Sequence, residues 1–222
     1  MIAGVELKVC GLTSADDAAT AARAGADYLG FNFYPKSPRG LLLATYAGWA
    51  RDLPAGKKVA IAVEPTPAEL VALKTAGFDA FQVHFRAETP FEVLRGWSQA
   101  VGAANLWLAP RLPPAVDVPP DWLPLAGAIM LDTFQADRFG GTGRIGDWEK
   151  FSRHRRAHPG TNWILAGGLN PQNIAGALRE SGARFVDVNS GIESAPGIKD
   201  AAKLAALVEA MRSKSLSPER KP

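Results

Sequence analysis

The sequence predicts an α/β fold, a single-domain (β/α)8 TIM barrel over residues 1–212, and three observations carry the prediction. Eight short β-rich runs alternate with helical stretches along the chain. Three of those stretches end in the same glycine-marked junction before a strand begins, and several others open on recognisable caps. The length of 222 residues suits one such barrel.

The strands read as Glu6 to Cys10, Tyr28 to Phe33, Lys58 to Val63, Ala80 to His84, Leu106 to Pro110, Ala128 to Asp132, Trp163 to Ala166 and Phe185 to Asn189. Each is a brief apolar run bounded by turn-forming residues, the pattern of a buried parallel strand. The repeated junction is Ala24-Gly-Ala-Asp-Tyr-Leu29, Ala76-Gly-Phe-Asp-Ala-Phe81 and Ser181-Gly-Ala-Arg-Phe-Val186. In each, the glycine would end a helix in the left-handed conformation that other residues adopt only at a cost.

Helix starts agree with the strand count. Thr66-Pro-Ala-Glu69 and Thr89-Pro-Phe-Glu92 each offer an N-cap hydroxyl, a proline at the first helical position and a glutamate to close a capping box. Thr13 with Asp16, and Asn170 with Pro171, are looser versions. The fifth unit departs from the pattern. Arg111-Leu-Pro-Pro-Ala-Val-Asp-Val-Pro-Pro120 is too rich in proline for an ordinary helix, leaving only Asp121 to Leu125 for a short turn. Helix 5 of the barrel is therefore expected to be degenerate.

Alternating βα units require parallel strands with right-handed crossovers, and eight of them close most economically into a barrel. An open doubly wound sheet is the competitor. No G-x-G-x-x-G follows the first strand, which argues against its dinucleotide-binding form.

Composition narrows the function classes. A single cysteine, Cys10, excludes an intrachain disulfide and suits a reducing, cytoplasmic setting. No apolar run approaches the ~20 residues of a membrane span, and the start of the chain has no basic region ahead of a hydrophobic one. The 25 Lys and Arg against 22 Asp and Glu form no nucleic-acid stripe. The main basic cluster, Arg153-His-Arg-Arg156, sits where a helix should end and cations complement exposed carbonyls. Residues 213–222 read as a disordered, polar tail.

In a barrel of this kind the site gathers at the C-terminal ends of the strands. Cys10 ends strand one, Asp132 ends strand six, Gly167-Gly168 follow strand seven and Ser190-Gly191 follow strand eight. A lone cysteine beside a glycine is ordinarily a small packing residue. Its place on this rim, across from a carboxyl group ending another apolar run, makes Cys10 and Asp132 a candidate proton-transfer pair. The paired glycines let backbone N–H groups approach a phosphate closely, in the loops where such barrels usually hold one. Phe139-Gly-Gly-Thr-Gly143 reads as a flexible segment that could close over a ligand. His84 either lines the site or is a hydrogen-bonded structural histidine.

Several motifs in order carry a resemblance: Lys8-Val-Cys-Gly-Leu-Thr13, Ser37-Pro-Arg39, Leu131-Asp-Thr133, Gly140-Gly-Thr-Gly143, Asp147-Trp148, Ala166-Gly-Gly-Leu169 and Asp187-Val-Asn-Ser-Gly-Ile-Glu193, with Gly197 and Lys199-Asp200. Together they resemble the phosphoribosylanthranilate isomerase family. The resemblance implies an Amadori rearrangement of a phosphorylated sugar in tryptophan biosynthesis, with no metal or organic cofactor and no nucleic-acid or membrane partner. It implies Asp132 as general acid, Cys10 as the base and Arg39 as holder of the anthranilate carboxylate. It places Gly141, Gly143, Gly167, Gly168, Asp187, Ser190, Gly191 and His84 around the substrate, in a monomer or homodimer. Lys8, on the same strand face as Cys10, would favour the thiolate that such a base requires.

This chain has Phe85 after His84, and Val63-Glu64 at the end of strand three, where the family usually has glycine and Val-Asn. Both changes are expected to bear on the pocket wall. Two rival readings fit the barrel less well. A histidine-pathway sugar isomerase would use an aspartate in place of Cys10, and a noncatalytic phosphate-binding barrel would have no need of both Cys10 and Asp132.

Overall fold

The computed structural model describes residues 1–132 and 147–213. Eight parallel strands close into a barrel in chain order: β1 (Glu6–Val9), β2 (Tyr28–Asn32), β3 (Lys57–Val63), β4 (Ala80–Arg86), β5 (Leu106–Arg111), β6 (Ala128–Leu131), β7 (Trp163–Leu165) and β8 (Phe185–Val188). All eight predicted strands are present, their ends moved by a residue or two. β1 closes the ring against β8, in a register that sets Lys8 opposite Asp187.

Helices α1 (Ala15–Arg23), α2 (Leu43–Trp49), α3 (Pro67–Thr75), α4 (Phe91–Val101), α5 (Trp148–Ala157), α6 (Ile174–Ser181) and α7 (Ala201–Ser213) cover the barrel. The predicted gap in the fifth unit is real: only the 3-10 turn Pro120–Leu125 stands between β5 and β6. The proline-rich stretch before it is held from outside. Lys150 on α5 donates to the carbonyls of Pro113 at 3.1 Å and Val116 at 2.6 Å, and Arg153 pairs with Asp117. The basic cluster does lie in the last turn of its helix, as expected. Residues 214–222, nearly all of the predicted tail, lie outside the described residues, and Ser213 is the last residue of α7.

The repeated junctions are helix ends, with Gly25, Gly77 and Gly182 at φ of 95°, 89° and 66°. At the helix starts, Thr66 forms the full capping box with Glu69. Thr89 does not: α4 begins one residue late, Pro90 occupies the cap position, and no side chain caps the helix. Nor does Thr13 cap α1. That role falls to Ser14, which accepts from the Asp17 N–H, while the Thr13 hydroxyl donates to the Gly197 carbonyl at 2.6 Å. Asn170 caps a turn just ahead of α6, its side-chain oxygen accepting from the N–H groups of Gln172 and Asn173.

Strand alternation separates two apolar regions. Outward residues such as Leu7, Val9, Val83, Phe85, Val186 and Val188 join the helix-facing core. Inward residues, including Tyr28, Trp107 and Phe185, fill the barrel. Those three rings pack at centroid distances of 5.0 to 5.4 Å, contacts that add to their burial. This plugged interior leaves the next inward positions, Lys8, Gln82 and Asp187, to form the floor of the open end.

Candidate active site

Nine sequence-predicted site residues line one cavity of about 820 Å3 at the C-terminal ends of the strands: Cys10, Arg39, His84, Asp132, Gly167, Gly168, Asp187, Ser190 and Gly191. Gly141 and Gly143, with the segment predicted to close over a ligand, lie outside the described residues.

Cys10 is presented by the last turn of chain from β1, its N–H bonded to the Val188 carbonyl at 2.8 Å. Two residues back on the inward face, Lys8 is fully buried and its ammonium donates to Asp187 at 2.8 Å. Burial opposes the Lys8 charge, but Asp187 and Cys10 outweigh it and hold Lys8 above its ordinary value. The thiol is pulled both ways. Burial pushes Cys10 up and the Asp187 carboxylate adds to this, while Lys8 and Lys199 pull it down without prevailing. The cationic field expected from the sequence is present, and burial together with Asp187 outweighs it.

Arg39, from the loop after β2, is buried and already paired. Its Nε donates to Glu193 Oε1 at 2.8 Å and its Nη2 to Oε2 at 2.6 Å. Glu193 opens β9 (Glu193–Ala195), which with β10 (Ile198–Lys199) forms a hairpin after β8. Lys199 completes the cluster, donating to Glu193 at 2.8 Å and to Asn189 at 2.9 Å. Burial would push Glu193 up, but the hydrogen bonds from Arg39 and Lys199 hold it below its usual range. The guanidinium predicted to hold a carboxylate is thus oriented by a carboxylate of the protein itself.

The glycine cradle is built by close approach. Gly167 and Gly168 take φ of 94° and 64°, in the left-handed region, and the Gly168 carbonyl accepts from the side-chain amides of Asn170 and Asn173. Gly191 faces them so closely that a Cβ there would lie 2.0 Å from the Leu169 carbonyl oxygen. Only glycine fits between the loops after β7 and β8.

The structure gives His84 both of the roles the sequence left open: it lines the cavity, and its Nε2 lies 2.7 Å from the Gln82 amide nitrogen. Burial and then the Lys8 charge hold its pKa down to about 4, so the ring is neutral at pH 7. Phe85 does not touch the cavity wall, contrary to the expectation for the residue after His84. It points outward, with ring centroids 5.5 Å from Trp97 and 5.3 Å from Trp122. Of Val63-Glu64, only Val63 lines the cavity; Glu64 takes φ 46°, a left-handed conformation that asparagine adopts more readily. Its carboxylate pairs with Arg86 at 3.3 Å.

Sequence reasoning missed three contributors. Gln82 is buried in the cavity floor, and parity with His84 two residues on would have marked it. Glu193 and Lys199 stood within the recognised motifs without a role, because their partners are distant in the chain or on a hairpin that no periodicity announces.

A (β/α)8 barrel whose rim brings a thiol, a carboxyl group, a buried arginine and paired glycines into one cavity has the layout of a barrel-class enzyme. Comparison with known proteins narrows this. The family described as N-(5'phosphoribosyl)anthranilate (PRA) isomerase matches residues 7–210. The chain is 37% identical over 210 residues to the N-(5'-phosphoribosyl)anthranilate isomerase of Magnetococcus marinus, covering 94% of this chain and 95% of that protein. The phosphoribosyl anthranilate isomerase of Thermotoga maritima superimposes with a TM-score of 0.78 at 27% identity, over 94% of this chain and 99% of that one. A phosphoribosyl anthranilate isomerase solved with reduced 1-(o-carboxyphenylamino)-1-deoxyribulose 5-phosphate gives 0.75 at 27% identity, with 94% and 99% covered. The chain belongs to the N-(5'-phosphoribosyl)anthranilate isomerase family, and its reaction is that isomerisation in tryptophan biosynthesis.

Proposed function

We propose that Asp132 and Cys10 carry out the rearrangement as general acid and general base, in a cytoplasmic enzyme whose substrate phosphate rests in the cradle of Gly167, Gly168, Ser190 and Gly191. The observation that carries the reading is that both groups line the same cavity as the glycine cradle.

In the first step Asp132 protonates the furanose ring oxygen. The C1′–O bond breaks as the anilino nitrogen lone pair forms a C1′=N bond, giving an open-chain protonated Schiff base. Its positive charge acidifies the C2′ hydrogen. Cys10 then removes that proton, the electron pair forms the C1′=C2′ bond, and the nitrogen recovers its lone pair as the enolamine. Tautomerisation to the ketone and return of the proton from Cys10 to Asp132, through solvent, restore the enzyme.

A backbone cradle suits a phosphate because its N–H groups are fixed and need no reorganisation as the ligand arrives. Arg39 offers the remaining face of its guanidinium to the anthranilate carboxylate, a charge-assisted contact. The oriented Glu193 fork keeps that face in place.

The test follows loss of anthranilate-type fluorescence as freshly prepared phosphoribosylanthranilate is consumed. Cys10→Ala and Asp132→Asn should each lower kcat by at least ~10²-fold, the usual contribution of an acid–base group. Unchanged turnover in both variants would sink the assignment.

A further inference from the structure

The cations around Cys10 are not equivalent. Arg39 and Lys199 both lean on Glu193, through bonds of 2.6 to 2.8 Å, and are set by the hairpin after β8. Lys8 is different: it shares a strand and a face with Cys10, is fully buried, and is held by Asp187 from the neighbouring strand. The space its ammonium occupies exists because β2 carries a glycine two residues beyond Tyr28, the register partner of Lys8. A Cβ on Gly30 would lie 3.0 Å from Lys8 Cε, 3.1 Å from Lys8 Nζ and 3.1 Å from Cys10 Cα. One missing side chain thus admits both the ammonium and the strand end that carries the thiol.

We propose that Lys8, admitted by Gly30 and anchored by Asp187, is the positioning residue that stabilises the Cys10 thiolate. The charge balance supports it. Lys8, Arg39 and Lys199 face Asp187 and Glu193, so these five side chains carry one positive charge in excess, which a thiolate would neutralise. Among the described residues, the groups acting on Cys10 are Lys8 from its own strand, Asp187 from β8, Lys199 from the hairpin and Arg39 from the loop after β2. Asp132 from the end of β6 and the neutral His84 from β4 line the same cavity. Of these three described cations, Lys8 alone is fixed by the barrel wall itself.

The proposal rests on Cys10 being the base, but its experiment does not need turnover. Cys10 is the only cysteine, so the rate of its alkylation by iodoacetamide against pH, followed by mass spectrometry of the intact protein, reports its ionisation directly. Lys8→Met and Lys8→Gln should move the inflection upward by about one pH unit or more, the effect expected on losing a charge within ~4–6 Å. Asp187→Asn should move it downward. If Lys8→Met fails to fold, Lys8→Gln, which keeps a hydrogen bond to Asp187, still decides the matter. In turnover, Lys8→Gln should lower kcat at neutral pH tenfold or more, recover part of that loss at higher pH, and leave KM within about threefold. Lys8→Arg should restore the wild-type inflection.

An alkylation profile in Lys8→Gln that superimposes on the wild type, or an upward move in Asp187→Asn, overturns the proposal. Normal turnover by Cys10→Ala would instead overturn the catalytic reading, while the alkylation profiles would still establish or refute the role of Lys8.

Discussion

Arg39 and Glu193 meet through two parallel hydrogen bonds, 2.8 and 2.6 Å long, across a sequence separation of 154 residues. The pair ties the loop after β2 to the hairpin after β8, on either side of the strand that presents Cys10. Removing one member of a buried pair leaves the other charge uncompensated, at a cost of about 3–5 kcal/mol. Glu193→Ala should therefore lower unfolding stability by about that amount in urea titration and raise KM through a misplaced Arg39. Glu193→Gln, which keeps one acceptor oxygen, should lose less. Equal stability of Glu193→Ala and the native protein would show that solvent already satisfies Arg39.

The same pair gives stability an acid limb. The folded-state value of Glu193 is held below its ordinary one, so the folded protein binds fewer protons than the unfolded chain as pH falls through that range. Its contribution is complete above the unfolded carboxyl value and is lost as pH drops through the folded one. Glu193→Gln should flatten the dependence of Tm on pH below about 4.5. An acid limb of unchanged steepness in that variant would assign it to other carboxylates.

Gly191 and the Leu169 carbonyl leave no room for a side chain. Gly191→Ala must part the loops after β7 and β8, and overpacking of this sort costs about 1–3 kcal/mol. The cradle should widen, raising KM for the phosphorylated substrate more than it lowers kcat. A crystal structure of the variant with both loops unmoved would refute the argument.

How much of this was legible in the sequence depends on the range of the interaction. Strand order, the missing fifth helix and the glycine-ended helices follow from local rules, and so do Cys10 and Asp132, because an apolar run shows where its strand must end. Lys8 opposite Asp187 could not be read, since the closure of β1 on β8 pairs residues 179 apart in the chain. Arg39 with Glu193 was hidden for the same reason. The Thr89 cap failed on a finer point. A threonine-proline start looks the same whether proline is the first helical residue or, as here, the cap. Phe85 was readable and misjudged: strand parity with His84 points it away from the cavity.

Phe85 gives a test that separates fold from function. It is fully buried against Trp97 and Trp122 outside the barrel, so Phe85→Ala should cost about 3–5 kcal/mol of stability. Below the lowered transition, kcat/KM should stay within about threefold of the native value, because no atom of the ring reaches the cavity. A tenfold loss of kcat/KM in folded protein would place Phe85 in the site after all.

His84 supplies a second pH dependence, with its own window. Its folded value of about 4, set by burial and by the Lys8 charge, lies below the ~6.5 of an unfolded histidine. Between those values the unfolded chain binds a proton that the folded protein excludes, so stability rises with pH there and is fully present above about 6.5. A difference of that size corresponds to up to about 3 kcal/mol. His154, also lowered by burial, acts in the same direction. His84→Gln should remove part of the stability loss between pH 6.5 and 4.5, measured by urea unfolding at each pH. The native imidazole should also show no titration in NMR spectra down to about pH 5. If Lys8 causes part of the depression, Lys8→Met should bring the His84 titration back toward its ordinary range. A His84 signal that titrates near 6.5 in the native protein would show that the ring is solvated and the Lys8 field weak.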